Sequence, residues 1–88
     1  MKLKHGLSLR TVGGQRVLAA LQPAPGDFGG MVLLNTTGAC LCELLEQGTD
    51  REALIQALTD RFAVSEAEAA QSVDRFVSRL QNEGLLDS

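Results

Sequence analysis

The run Met31-Val32-Leu33-Leu34 leaves this chain few ways to fold. Gly29-Gly30 precedes it, and Asn35-Thr36-Thr37-Gly38 stops it. A short apolar run with turn-forming residues on both sides reads as a strand. Asn35 is suited to cap a helix by accepting a backbone N–H, as are Thr36 and Thr37. Strand therefore passes into helix without a loop. What comes before reads as hairpin and loop, and what comes after reads as helix.

Leu7-Ser8-Leu9-Arg10-Thr11-Val12 alternates apolar and polar residues, the pattern of a half-buried strand. Gly13-Gly14 supplies a two-residue turn in which both positions can take positive φ. Gln15 to Leu21 resumes the apolar signal and completes a hairpin. Pro23, Pro25, Gly26, Gly29 and Gly30 make Gln22 to Gly30 a loop, with Phe28 as its anchor to the core.

Three helices are predicted after the third strand. The first runs to about Gln47 and carries Leu41, Leu44 and Leu45 on one face; Gly48 stops it. Gly38, poor for helix propensity, suggests close approach of a strand or a neighbouring helix. Thr49-Asp50-Arg51-Glu52 has capping-box spacing with Thr49 as cap, ahead of a face of Leu54, Ile55, Leu58 and Phe62. Ser65-Glu66-Ala67-Glu68 repeats that spacing before a stripe of Ala69, Val73, Phe76, Val77 and Leu80. This last helix is about 18 residues, or about 27 Å, long. Gly84 ends it, and Leu85-Leu86 can fold back over the core. The expected fold is α+β: a single winged-helix-turn-helix-like domain over 1–88, with a three-stranded antiparallel sheet followed by three helices.

Charge and chemistry narrow the function. Residues 1–35 carry four cations against Asp27, whereas residues 36–88 carry four arginines against ten acids. Acidic helices argue against nucleic acid, where Lys and Arg drive binding by releasing counterions. No apolar run approaches the roughly 20 residues of a membrane span, and the basic start has no apolar segment behind it. The expectation is a cytoplasmic protein. No Gly-x-Ser-x-Gly or phosphate-loop signature is present. The one histidine, His5, falls in the first five residues, where chains tend to fray. Catalytic residues, metal ligands and cofactors are therefore expected to be none. Cys40 and Cys42 point about 200° apart on a helix and cannot bridge. Cys40 reads as packed and Cys42 as half exposed.

Recognition of a peptide remains. An exposed sheet edge is a template for another strand, and Met31–Leu34 is the candidate edge. Val73, Phe76 and Val77 of the third helix could wall a groove beside it. A proline at Val32 should then remove an edge N–H and abolish binding. The alternative is a winged-helix DNA-binding regulator, and a third reading is a homodimer through the same edge.

Asp27-Phe28-Gly29-Gly30-Met31-Val32-Leu33-Leu34-Asn35-Thr36-Thr37-Gly38, then Leu44-Leu45 and Gly48-Thr49, resembles the PqqD-like family, also called RiPP recognition elements. The ending, with Val73, Phe76, Leu80 and Gly84-Leu85-Leu86, resembles it too. The resemblance implies a peptide chaperone without catalytic activity. Such a protein binds the leader of a ribosomally made precursor and delivers it to a modifying enzyme, often a radical-SAM enzyme, in natural product or quinone-cofactor-type biosynthesis. The leader adds to the third strand, beside the third helix. Carried over, Met31, Val32, Leu33 and Leu34 form the strand side of the site. Val73, Phe76, Val77, Arg75 and Arg79 form the helix side. The chain departs from the family pattern at Cys40 and Cys42, where larger apolar residues are common, and at Gly29, where an Asn is often found.

Overall fold

A computed structural model describes residues 1–4, 6–20 and 31–87 of the 88. Strand β1 (Leu7–Val12) pairs antiparallel with β2 (Gln15–Ala20), and Val12 lies opposite Gln15. Gly13 and Gly14 form the turn with φ of +58° and +80°. Two left-handed residues in succession are what a primed hairpin turn needs, and glycine reaches them without a Cβ penalty. β3 (Met31–Leu34) joins the other side of β2, also antiparallel, in the order β1-β2-β3. The Gln22–Gly30 loop and its Phe28 anchor lie outside the described residues, as does His5.

Asn35 turns the end of β3 directly into α1 (Thr36–Gln47). Its Oδ1 accepts the Gly38 N–H at 2.8 Å, so Asn35 is the cap. The Thr37 hydroxyl donates to the same oxygen at 2.9 Å. Gly38 has the use expected of it. A Cβ there would lie 3.3 Å from Phe76 Cε1 of the last helix and 3.5 Å from Leu34 Cδ2. The missing side chain lets strand, first helix and last helix meet at one point.

α1 is the central element. It packs against all three strands on one side and α2 on the other. Consecutive residues Gly38 to Cys42 are all buried. This corrects the expectation for Cys42, which is fully buried rather than half exposed. The two thiols do point to different sides, but at this level of α1 the protein covers both sides. Burial, reinforced by Glu46, pushes the Cys42 thiol up to about 12. Both cysteines are free.

α2 (Arg51–Arg61) is capped by Asp50, whose carboxylate accepts the Ala53 N–H at 2.8 Å, and not by Thr49. Thr49 is engaged elsewhere. Its N–H donates to the Met1 carbonyl at 2.8 Å, and its own carbonyl accepts from the Met1 amino group. α3 (Glu66–Asn82) starts with the full capping box: Ser65 accepts from the Glu68 N–H and Glu68 reaches back to the Ser65 N–H.

Residues 1–4 are hydrogen-bonded into the domain. The Leu3 N–H donates to Leu45, the Lys4 N–H to Leu85, and the Asp87 N–H to Lys2. Leu3 and Leu86 pair across an antiparallel bridge. Gly84, at φ +71°, turns the chain out of α3, and Leu85 folds back into the core as expected. Leu3 and Leu85 join Leu18, Val32, Leu34, Leu41, Leu45, Leu54, Leu58, Val73 and Leu80 in one aliphatic core. Each buried leucine contributes about 1.5–3 kcal/mol relative to exposure. Among the described residues, no helix is long and apolar enough to cross a membrane.

Candidate functional site

The hairpin fixes which groups β3 offers. In a two-residue turn the N–H of the fourth residue bonds the carbonyl of the first, so Val12 and Gln15 are a hydrogen-bonded pair. Bonding then alternates along an antiparallel strand. Gln15, Val17 and Ala19 direct their main-chain groups to β1, and Arg16 and Leu18 direct theirs to β3. Their partners are Leu34 and Val32. The main-chain N–H and C=O groups of Met31 and Leu33 consequently face the open edge. The Gln15 amide agrees with this register, because it donates to both the Arg16 and the Leu34 carbonyls, the latter at 2.7 Å.

The side chains divide the same way. Val32 and Leu34 are 2% and 3% exposed and face the core, while Met31 and Leu33 are 60% and 65% exposed on the outer face. This corrects the expectation for a proline at Val32. That N–H belongs to the β2 ladder, and the N–H groups directed away from β2 are those of Met31 and Leu33.

Across from the edge, α3 packs on α2 and leaves β3 largely uncovered. Phe76 brings it to the β3–α1 junction, where the ring lies over Gly38. Phe76 and Val77 are half-buried, whereas Val73 is fully buried and presents no surface. The expected site residues thus fall into three groups. Met31 and Leu33 form an exposed edge. Phe76, Val77, Arg75 and Arg79 stand on the accessible part of α3. Val32, Leu34 and Val73 support both from the core.

A pocket of about 260 Å³ opens where these elements meet, lined by Asn35, Thr37, Gly38 and Leu41 from the α1 side and Ser72, Arg75, Phe76 and Arg79 from α3. Ser72 and the α1 residues were not among the expected site residues. The signal was present in the spacing of 72, 75, 76 and 79, which is one helical face. The apolar stripe of 73, 76, 77 and 80 masked it. Asp74 is withdrawn from this face by Arg51, whose Nε and Nη2 donate to its two carboxylate oxygens at 2.8 and 3.1 Å. Those hydrogen bonds hold the Asp74 carboxyl below its ordinary range.

The two arginines of α2 are likewise engaged. Arg51 is held by Asp74, while Arg61 donates to Cys40 Sγ at 3.3 Å and lies 3.9 Å from Glu43. The described residues include no group of His, Cys, Asp and Glu placed to hold a metal ion.

Three antiparallel strands followed by three helices, with the third strand on an open edge, define a winged-helix-like α+β domain. Residues 9–86 match the model of the family described as coenzyme PQQ synthesis protein D (PqqD), and the chain belongs to that family. Its fold is shared with "TbiB1 in Complex with the TbiA(beta) Leader Peptide", at a TM-score of 0.80 and 24% identity over 100% of this chain and 96% of that one. It is shared also with "Lasso peptide synthetase B1 complexed with the leader peptide", at 0.74 and 23% over 96% and 93%. A comparison with curated proteins finds no match.

Proposed function

We propose that this domain binds the leader segment of a ribosomally made precursor peptide and presents it to a modifying enzyme. The guest adds as a strand to β3 and lies beside α3. The observation that carries this reading is the edge itself. Met31 and Leu33 offer main-chain groups that are unpaired among the described residues and exposed apolar side chains, beside a helix face that β3 does not cover. The two proteins of similar fold are both described as complexes with leader peptides. Guest side chains on the outer face would lie beside Met31 and Leu33, and those on the inner face would meet Phe76 and Val77. The role is binding and delivery rather than catalysis. A radical-SAM maturase is the partner that the PqqD resemblance implies.

Titration of the labelled protein with the leader of a precursor encoded beside it tests the proposal. Backbone NMR shifts should concentrate at Met31–Leu34 and at Phe76–Val77. Shifts confined to the outer faces of α2 and α3 would overturn it. Sedimentation at two concentrations, with and without the peptide, shows whether self-pairing through β3 competes with the guest. A gel-shift series against salt would show a steep slope only if the domain acted on DNA.

A further inference from the structure

Resting on the peptide-binding reading, we infer that the pocket between α3 and the start of α1 takes an acidic side chain of the guest, from the residues just N-terminal to its paired strand.

Charge is the first argument. The segment 36–88 holds ten acids and four arginines, yet this pocket is lined by two of the four arginines and by no acid. Asp74, the sequence neighbour of Arg75, is clamped by Arg51. Arg79 approaches Glu83 at 3.8 Å, a long, exposed contact that a better-placed carboxylate can replace. Among the described residues, no carboxylate pairs with Arg75. The Asn35 side-chain oxygen is already taken by Gly38 and Thr37, so the charged groups of the pocket are the two guanidiniums. Both offer planar donor forks suited to a carboxylate. Phe76 and Leu41 supply apolar walls for the methylene carbons of the same side chain.

Direction is the second argument. Both strand pairs of this sheet are antiparallel, and antiparallel addition is the slightly more stable mode per residue. β3 runs from Met31 to Leu34 and ends at Asn35, on the pocket rim. An antiparallel guest therefore begins at the Leu34 end. The residues preceding its paired segment are the ones that reach Arg75 and Arg79.

A display library of random twelve-residue peptides, selected on the whole chain, tests this without knowing the natural leader. Selected peptides are sorted by whether Leu33→Pro, which removes an edge N–H directed away from β2, abolishes their binding. The wild-type Met31 and Leu33 amide shifts identify edge binders independently of that variant. Edge binders should carry Asp or Glu at one position N-terminal to an alternating apolar segment. Replacing that Glu by Gln in the peptide should weaken binding about two- to fivefold. The penalty should vanish on the Arg75→Gln/Arg79→Gln protein. Edge binders with no acidic position, or a penalty unchanged in the double variant, would overturn the subsite and leave strand addition standing. Absence of any edge binder would overturn strand addition, and the subsite with it.

Discussion

Proline substituted at two neighbouring positions of β3 should give opposite results. At Val32 the lost N–H is a ladder bond to Leu18, and the carbonyl left behind is buried. An unsatisfied buried acceptor costs about 1–3 kcal/mol. Imperfect replacement of a side chain that is 2% exposed adds about 1–2 kcal/mol. The total, about 2–5 kcal/mol, is a large part of the 5–15 kcal/mol that holds a domain together. It should lower Tm by about 8–40 °C, or prevent folding. At Leu33 the side chain is 65% exposed and the N–H points outward. Proline is tolerated on an edge strand with its nitrogen toward solvent. The expected cost there is under about 1 kcal/mol, a Tm change within about 8 °C. Peptide binding at the edge should nevertheless be lost, because one main-chain bond is gone and the ring obstructs the guest. Thermal unfolding followed by circular dichroism reads the stability half, and titration with an edge-binding peptide reads the other. Equal destabilisation at the two positions, or a folded Leu33→Pro protein with unchanged affinity, would refute the register.

Gly38→Val should cost about 1–3 kcal/mol by thermal unfolding, since even a bare Cβ would sit 3.3 Å from Phe76 and 3.1 Å from the capping oxygen of Asn35. Unchanged stability would show that Phe76 yields freely. Asp50→Ala should cost about 1 kcal/mol as a lost cap, and Thr49→Ala much less, because Thr49 is tied to Met1 through its main chain. For Cys42 the folded state keeps a proton that the unfolded state releases from about 9 upward. Its contribution is therefore complete below the ordinary thiol range and declines as pH rises toward about 12, by at most about 1.4 kcal/mol per pH unit. The stability difference between the wild type and Cys42→Ala, measured by urea unfolding at pH 8 and pH 10, should shift toward the variant at the higher pH.

The parts of the fold that were legible in sequence rest on local chemistry. Gly13-Gly14 permits the turn it makes, Ser65 with Glu68 closes the box its spacing predicts, and Asn35 caps the helix it precedes. What was not legible depends on neighbours distant in sequence. Thr49 and Asp50 are both good caps, and the choice is settled by Met1 pairing with Thr49. The burial of Cys42 follows from α1 lying between sheet and α2, which a one-faced helical pattern does not show. At the site, Met31-Val32-Leu33-Leu34 is apolar throughout, so period two divides it into pairs without saying which pair faces inward. The separate β2–β3 register and the packing of α1 on one face of the sheet settle that, and both join residues distant in sequence. The helix side mixes two overlapping stripes, one for the core and one for the pocket, that share Phe76.

The bridge between Leu3 and Leu86 has a consequence for the timing of folding. It joins the segment before the hairpin with the segment after α3, so that residue 3 pairs with residue 86. The hairpin and the helix caps can form as the chain emerges, since their contacts are local. The leucines at 3 and 85 cannot close the core until Asp87 has been made and its N–H has found Lys2. Closure over nearly the full chain length carries a large loop entropy, so it comes late. During synthesis, then, the bottom of the core and the open β3 edge are exposed together. A peptide that engages β3 at that stage meets a domain that is not yet sealed.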